Sequence, residues 1–142
     1  MSKRKFKNGY SLVEVVIALS VIVVISIAAL STVLSSVATK QAAINKTEAQ
    51  NFAENAWECF KVSDDDEKFV SNVNFAEGVT LAGGVAGENG YKVYTYYSEE
   101  NKFTAQISVK FPANERAEFK IDVTDKNEKS IISFSYQKGG EI

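Results

Sequence analysis

The chain has 142 residues and a formal net charge of -2, a length that suits one ordinary domain. It contains no histidine and a single cysteine, which removes the usual general base near neutral pH, the commonest metal ligand and any internal disulfide. Four of the 16 basic residues, Lys3, Arg4, Lys5 and Lys7, lie in the first nine positions; without them the net charge falls to about -6, and so acidic a body argues against phosphate-backbone binding as a main task.

Behind the basic cluster, no charged residue occurs from Val15 to Thr39. These roughly 25 residues, at about 1.5 Å each, exceed the roughly 20 that cross a hydrocarbon core. They predict a transmembrane helix, and the charge asymmetry predicts a cytoplasmic N-terminus with the body outside. A secretory signal is the competing reading, since "SVATK" offers Ser36 and Ala38 as small residues around a cut. Its apolar region would normally run only about 7 to 15 residues. No cysteine is placed for lipid attachment, and "YQKGGEI" lacks the hydrophobic tail of an anchor signal. One residue disturbs the apolar pattern: Glu14, an ionisable group that costs about 2.5 to 3.5 kcal/mol at the centre of an inserted helix.

No glycine or proline interrupts Tyr10 to Glu77. Past the membrane segment an apolar row continues at Ala42, Ala49, Ala53, Ala56 and Phe60, with Phe52 beside it, at helical spacing. One helix is therefore expected from about Tyr10 to about Phe60, roughly 75 Å long, its outer half the amphipathic spine of a small domain. Cys59 falls in this apolar pattern with only Lys61 as a basic neighbour, which favours a packed side chain over a reactive thiol. "SDDDEK" ends the pattern, and Ser63 is the expected cap of a short second helix running toward Val73. The run Asp64, Asp65, Asp66 and Glu67 lacks the alternating spacing and turn glycine of a calcium loop, and reads as a solvated helix start.

"AEGVTLAGGVAGENG" reads as a loop with at most one short strand. After Gly90 the apolar period becomes two: Phe103, Ala105, Ile107, Val109 and Phe111 alternate with polar residues, as do Ala117, Phe119, Ile121 and Val123. With Tyr91 to Ser98 before them and Ile131 to Tyr136 after, and turns at "SEEN", "PANE" and "DKNEK", the pattern predicts a four-stranded antiparallel meander covering the outer helix. Tyr91, Tyr94, Tyr96 and Tyr97 are either cross-strand packing partners or a platform for bases or sugars.

Lys3, Arg4, Lys5 and Lys7, then "NGYSLVEVVIAL", then the long apolar helix: residues 3 to 35 resemble the N-terminus of a type IV prepilin or pseudopilin. The resemblance implies an α+β, pilin-like fold. In it a long N-terminal helix, its inner half transmembrane and its outer half amphipathic, packs on the four-stranded sheet. It divides the chain into a cleaved cytoplasmic leader (1–9), a transmembrane and assembly helix (10–39), an outer helix (40–62), a glycine-rich connector (63–90) and the sheet (91–142), with 40–142 one extracytoplasmic domain. It implies cleavage by a prepilin peptidase after Gly9, methylation of the new N-terminal Tyr10, and Glu14 as the carboxylate that sets register in assembly. Partners are then the peptidase, other pilin subunits through the N-terminal helix, a membrane assembly platform and the cytoplasmic membrane. No metal, cofactor or catalytic residue is implied.

The sequence departs from the family pattern at Tyr10, where phenylalanine is commonest, and at Ser11, Leu12 and Val13 in place of Thr-Leu-Ile. The helix also lacks the midway proline of many major subunits, Pro112 being the only proline. That absence points to a minor pilin or pseudopilin. The missing cysteine pair resembles pilins of Gram-positive bacteria. The filament's task, among motility, adhesion, DNA uptake and secretion, stays open, as does its final place on the cell surface or in a pseudopilus. Chemistry supports the cut independently. Glycine lets a protease approach the backbone closely, and cleavage would free an α-amino group able to neutralise Glu14 on a neighbouring copy. Alternatively Glu14 sits shallow and reaches headgroups, and the chain is an unprocessed, membrane-anchored ligand-binding module.

Overall fold

The computed structural model describes residues 11–138. The stretch free of glycine and proline forms one 51-residue helix, α1 (Leu12–Val62); its expected start at Tyr10 lies outside the described residues. The chain divides into two units between Ala42 and Ala43. In the first unit, every large apolar side chain from Leu12 to Val37 is at least 47% exposed. The helix is long and apolar enough to cross a membrane. Its hydroxyls are turned inward: Ser20, Ser26, Thr32, Ser36 and Thr39 each donate to the carbonyl four residues back, at 2.8–3.0 Å. This satisfies these five hydroxyls within the helix, as a hydrocarbon surround demands.

The second unit holds the core. Residues 43–62 of α1 bury Ala49, Phe52, Ala53, Ala56 and Phe60, so the alanines bring the helix close to the sheet and the phenylalanines fill the space on either side. Ala42, expected to open this row, is exposed. Five strands form the sheet, not four: β1 (Ala82–Ala86), β2 (Lys92–Tyr97), β3 (Phe103–Lys110), β4 (Glu118–Asp125) and β5 (Ser130–Gln137), antiparallel in the order β1-β2-β3-β4-β5. The extra strand comes from the glycine-rich segment. Gly83 has φ +116°, and a Cβ there would stand 2.7 Å from the Val93 carbonyl oxygen, so only glycine lets this segment lie against β2 at its bulge.

Inward residues pair across the ladders, Ile107 with Ile121, Val109 with Phe119 and Ala105 with Val123. Phe60 sits under them, its ring 6.2 Å from Phe69, 5.1 Å from Phe111 and 5.2 Å from Phe119. Toward the other end of the sheet Phe52 stacks on Tyr96 at 4.6 Å and leans on Phe103 at 6.1 Å.

The second helix, α2 (Asp66–Glu77), is longer than expected and is capped differently. Asp65, not Ser63, accepts from the Lys68 N–H at 2.7 Å. Ser63 is fully buried; it donates to the Cys59 carbonyl (2.7 Å) and accepts from Asn72 Nδ2 (2.9 Å), so its hydroxyl closes the turn between the helices. α2 runs past Val73 to Glu77 and stops where Gly78 takes a left-handed conformation, φ +63°, as C-terminal glycines do. Asp66 then fastens α2 to the sheet by accepting from Lys92 Nζ and, at 3.3 Å, from the Tyr94 hydroxyl.

Removing the central ring by Phe60→Ala should cost about 3–5 kcal/mol of unfolding free energy, measured by urea denaturation of the detergent-solubilised chain with Trp57, its one tryptophan, as the fluorescent reporter. The hydrogen bond from Lys92 holds the Asp66 carboxyl below its ordinary value. Its contribution to stability is therefore complete above the unfolded value of about 3.9 and is lost as pH falls through the lower folded value. Asp66→Asn should flatten that part of the acid limb, as read from denaturation midpoints across acid pH.

Candidate functional site

The residues singled out by sequence fall into two groups. Lys3, Arg4, Lys5, Lys7, Gly9 and Tyr10 lie outside the described residues. Glu14 is placed, and its surroundings follow from the start of α1. Ser11 precedes the helix, and its backbone carbonyl accepts from the N–H groups of Glu14 (2.9 Å) and Val15 (3.2 Å). Its hydroxyl also accepts from the Glu14 N–H at 3.4 Å. This is the N-cap arrangement that gives otherwise unpaired first-turn donors an acceptor. The signal for it was present in Ser11-Leu12-Val13-Glu14, the Ser-x-x-Glu spacing of a capping box; attention to the charge of Glu14 alone passes over Ser11.

Glu14 thus sits in the first turn of α1, where a carboxylate faces the positive end of the helix dipole. Its side chain is exposed. The positions three and four residues on, which a helical side chain can reach, hold Ile17 and Ala18. The next cation along the helix is Lys40, roughly 39 Å away at 1.5 Å per residue. Among the described residues, none pairs with the Glu14 carboxylate.

The other candidate groups are engaged in the fold. Tyr94 is buried and leans on Phe69 at 6.4 Å, and Tyr96 lies on Phe52. The Tyr91 hydroxyl donates to Glu118 while Lys120 stands 4.4 Å above its ring. Tyr97 alone is left 63% exposed. Three of the rings thus go to separate packing and pairing sites, and the four form no shared stacking platform. Within the acidic run, Asp65 caps α2, Asp66 meets Lys92, and Asp64 lies 3.6 Å from Lys68 and 3.7 Å from Lys138. Cys59 is half-buried; burial first, then the charges of Glu77 and Glu58, push its thiol up, which lowers its thiolate fraction and its reactivity.

Comparison with known proteins adds one match. The family model of the prokaryotic N-terminal methylation motif covers residues 4–37, a span that includes Gly9, Tyr10, Ser11, Glu14 and most of the apolar part of α1. No curated protein and no solved structure matches the chain.

Proposed function

We propose that the chain, which carries the prokaryotic N-terminal methylation motif over residues 4–37, is a type IV prepilin- or pseudopilin-type protein and serves as a minor, non-catalytic subunit of a pilus or a related secretion or DNA-uptake filament. The motif implies a membrane-anchored, pilin-like subunit, processed by a prepilin peptidase and assembled with other pilins. Our reading adds the sites. The cut falls after Gly9, the new amino group of Tyr10 is methylated, and Glu14 of one subunit meets the Tyr10 amine of a neighbour delivered by the assembly platform. The leader stays in the cytoplasm and the second unit emerges outside.

One observation carries this reading: Glu14 stands on an apolar helix with no cation in reach along that helix. A carboxylate among packed hydrophobic helices needs a counter-charge, and breaking such a pair by removing one partner costs about 3–5 kcal/mol when the site is buried. An amine created at Tyr10 supplies that charge at the right depth, and a single polar pair in an apolar bundle fixes the axial register of its members. The missing helix proline supports a minor role.

Mass spectrometry of the chain recovered from membranes should show a species that begins at methylated Tyr10; an intact Lys-rich leader would favour an unprocessed membrane-anchored module instead. Glu14→Ala should leave membrane insertion unchanged and lower filament incorporation by at least about tenfold, the effect of losing a buried charge pair, as scored by immunoblot of sheared filaments. Normal incorporation would remove Glu14 from the assembly contact.

A further inference from the structure

The sheet has two open edges among the described residues, β1 and β5. An edge strand exposes a row of unpaired N–H and C=O groups, and proteins that keep such an edge free usually protect it with charge, proline or extreme shortness. Here the distribution of charge is reversed. Each internal strand carries at least one charged residue: Lys92 in β2, Lys110 in β3, and Glu118, Lys120, Asp122 and Asp125 in β4. The two edge strands, "AGGVA" and "SIISFSYQ", carry none and contain no proline.

β5 is the fuller edge. It has eight residues. The Lys138 N–H turns inward to the Ala117 carbonyl at 2.8 Å, so by strand alternation the backbone groups of Ser133, Ser135 and Gln137 turn outward. Its inward side chains, Ile132, Phe134 and Tyr136, are only half-buried. Beneath them Trp57 meets Phe134 and Tyr136 edge-on, and its indole N–H is buried with no acceptor among the described residues. Packing and hydrogen bonding are both incomplete along this margin.

We propose that β5 of one copy pairs with β1 of a second, like-oriented copy, joining subunits head to tail through their sheet edges outside the membrane. Three features select this occupant. An extended backbone is the ligand that a row of outward N–H and C=O groups specifies. The small, uncharged side chains of β1, all exposed, allow close approach to an equally uncharged β5. And five strands in an antiparallel meander leave both edge strands running in the same direction, so a parallel β5–β1 ladder joins copies without inverting either. Parallel pairing of β5 with another β5 would put the helices of the two copies on opposite faces of the joined sheet, and antiparallel pairing would need a two-fold axis normal to it. That axis reverses every direction along the sheet, including that of residues 43–62 of α1 packed on it, and so does not suit subunits anchored side by side in one membrane. A head-to-tail contact is also the kind that propagates along a filament. The proposal rests on the subunit reading above.

The test uses the full chain in its native membrane, with Cys59→Ser as background. Val85→Cys in β1 and Ser133→Cys in β5 both lie on the outer face of the sheet, where Val85 pairs with Val93 and Ser133 with Asp122. Mild oxidation should give reducible crosslinked species when both cysteines are present, in one chain or in two co-expressed chains, and none with Ser133→Cys alone. Ser133→Lys with Ser135→Lys, at exposed positions, should lower crosslinking of a second cysteine pair on the same outer face, Ala82→Cys with Ser130→Cys, where Ala82 pairs with Thr95 and Ser130 with Thr124, by about tenfold, because charge on an edge disfavours strand addition; its denaturation midpoint should stay unchanged. Crosslinking by Ser133→Cys alone would overturn the proposal in favour of β5 self-pairing. Absence of crosslinks in a chain that is processed and incorporated would overturn it while leaving the subunit reading intact. Failure of the background chain itself to be processed or incorporated would instead overturn the subunit reading and, with it, this proposal.

Discussion

α1 is the constraint on which the rest of the structure depends, because one unbroken backbone ladder must suit two surroundings. From Leu12 to Val37 its apolar side chains point outward on all sides, a distribution stable only where the surround is itself apolar. From Ala49 to Phe60 the buried residues narrow to one stripe, the pattern of a helix with a sheet on one side and water on the other. No proline or glycine divides the two regimes. The change is made entirely by side chains, while the hydroxyls of the first region bond back to its own carbonyls.

Against the stripe, the sheet supplies a matching inner face, and the contacts are graded by size. Alanine at 49, 53 and 56 permits close approach, while Phe52 and Phe60 reach between strands to meet Tyr96, Phe103, Phe111 and Phe119. α2 closes the open side of this core with Phe69 and Val73. Its position is secured by polar contacts, the Asp65 cap and the Asp66 link to Lys92 and Tyr94. The residues that invite a binding interpretation, the acidic run and the tyrosine cluster, are thus largely used to hold α2 and β2 in place. Glu14 differs from them: among the described residues, none answers its charge.

Much of this was legible in the sequence because it is periodic. The 3.6-residue and two-residue patterns predicted α1 and four of the strands, and an alternating strand leaves little choice of which face turns inward. Two features were not legible, each for a physical reason, and a third was marked only by its spacing. β1 has no alternation to detect, since its pairing with β2 depends on the absence of a Cβ at Gly83. The cap of α2 passed from Ser63 to Asp65 because Ser63 found partners in Cys59 and Asn72, one of them nine residues along the chain. Ser11 was hidden by its neighbour, although the Ser-x-x-Glu spacing marks it.

By itself the sequence determined the long apolar stretch, the N-terminal methylation motif and the alternation of the sheet, because each rests on local composition or spacing that holds whatever the rest of the chain does. The tertiary structure alone decided which polar groups are consumed by the fold, how the glycine-rich segment becomes an edge strand, and which strand margins stay open and uncharged. Those outcomes depend on what lies beside a residue in space, and a backbone group is free or satisfied only once every neighbouring strand and helix has taken its place.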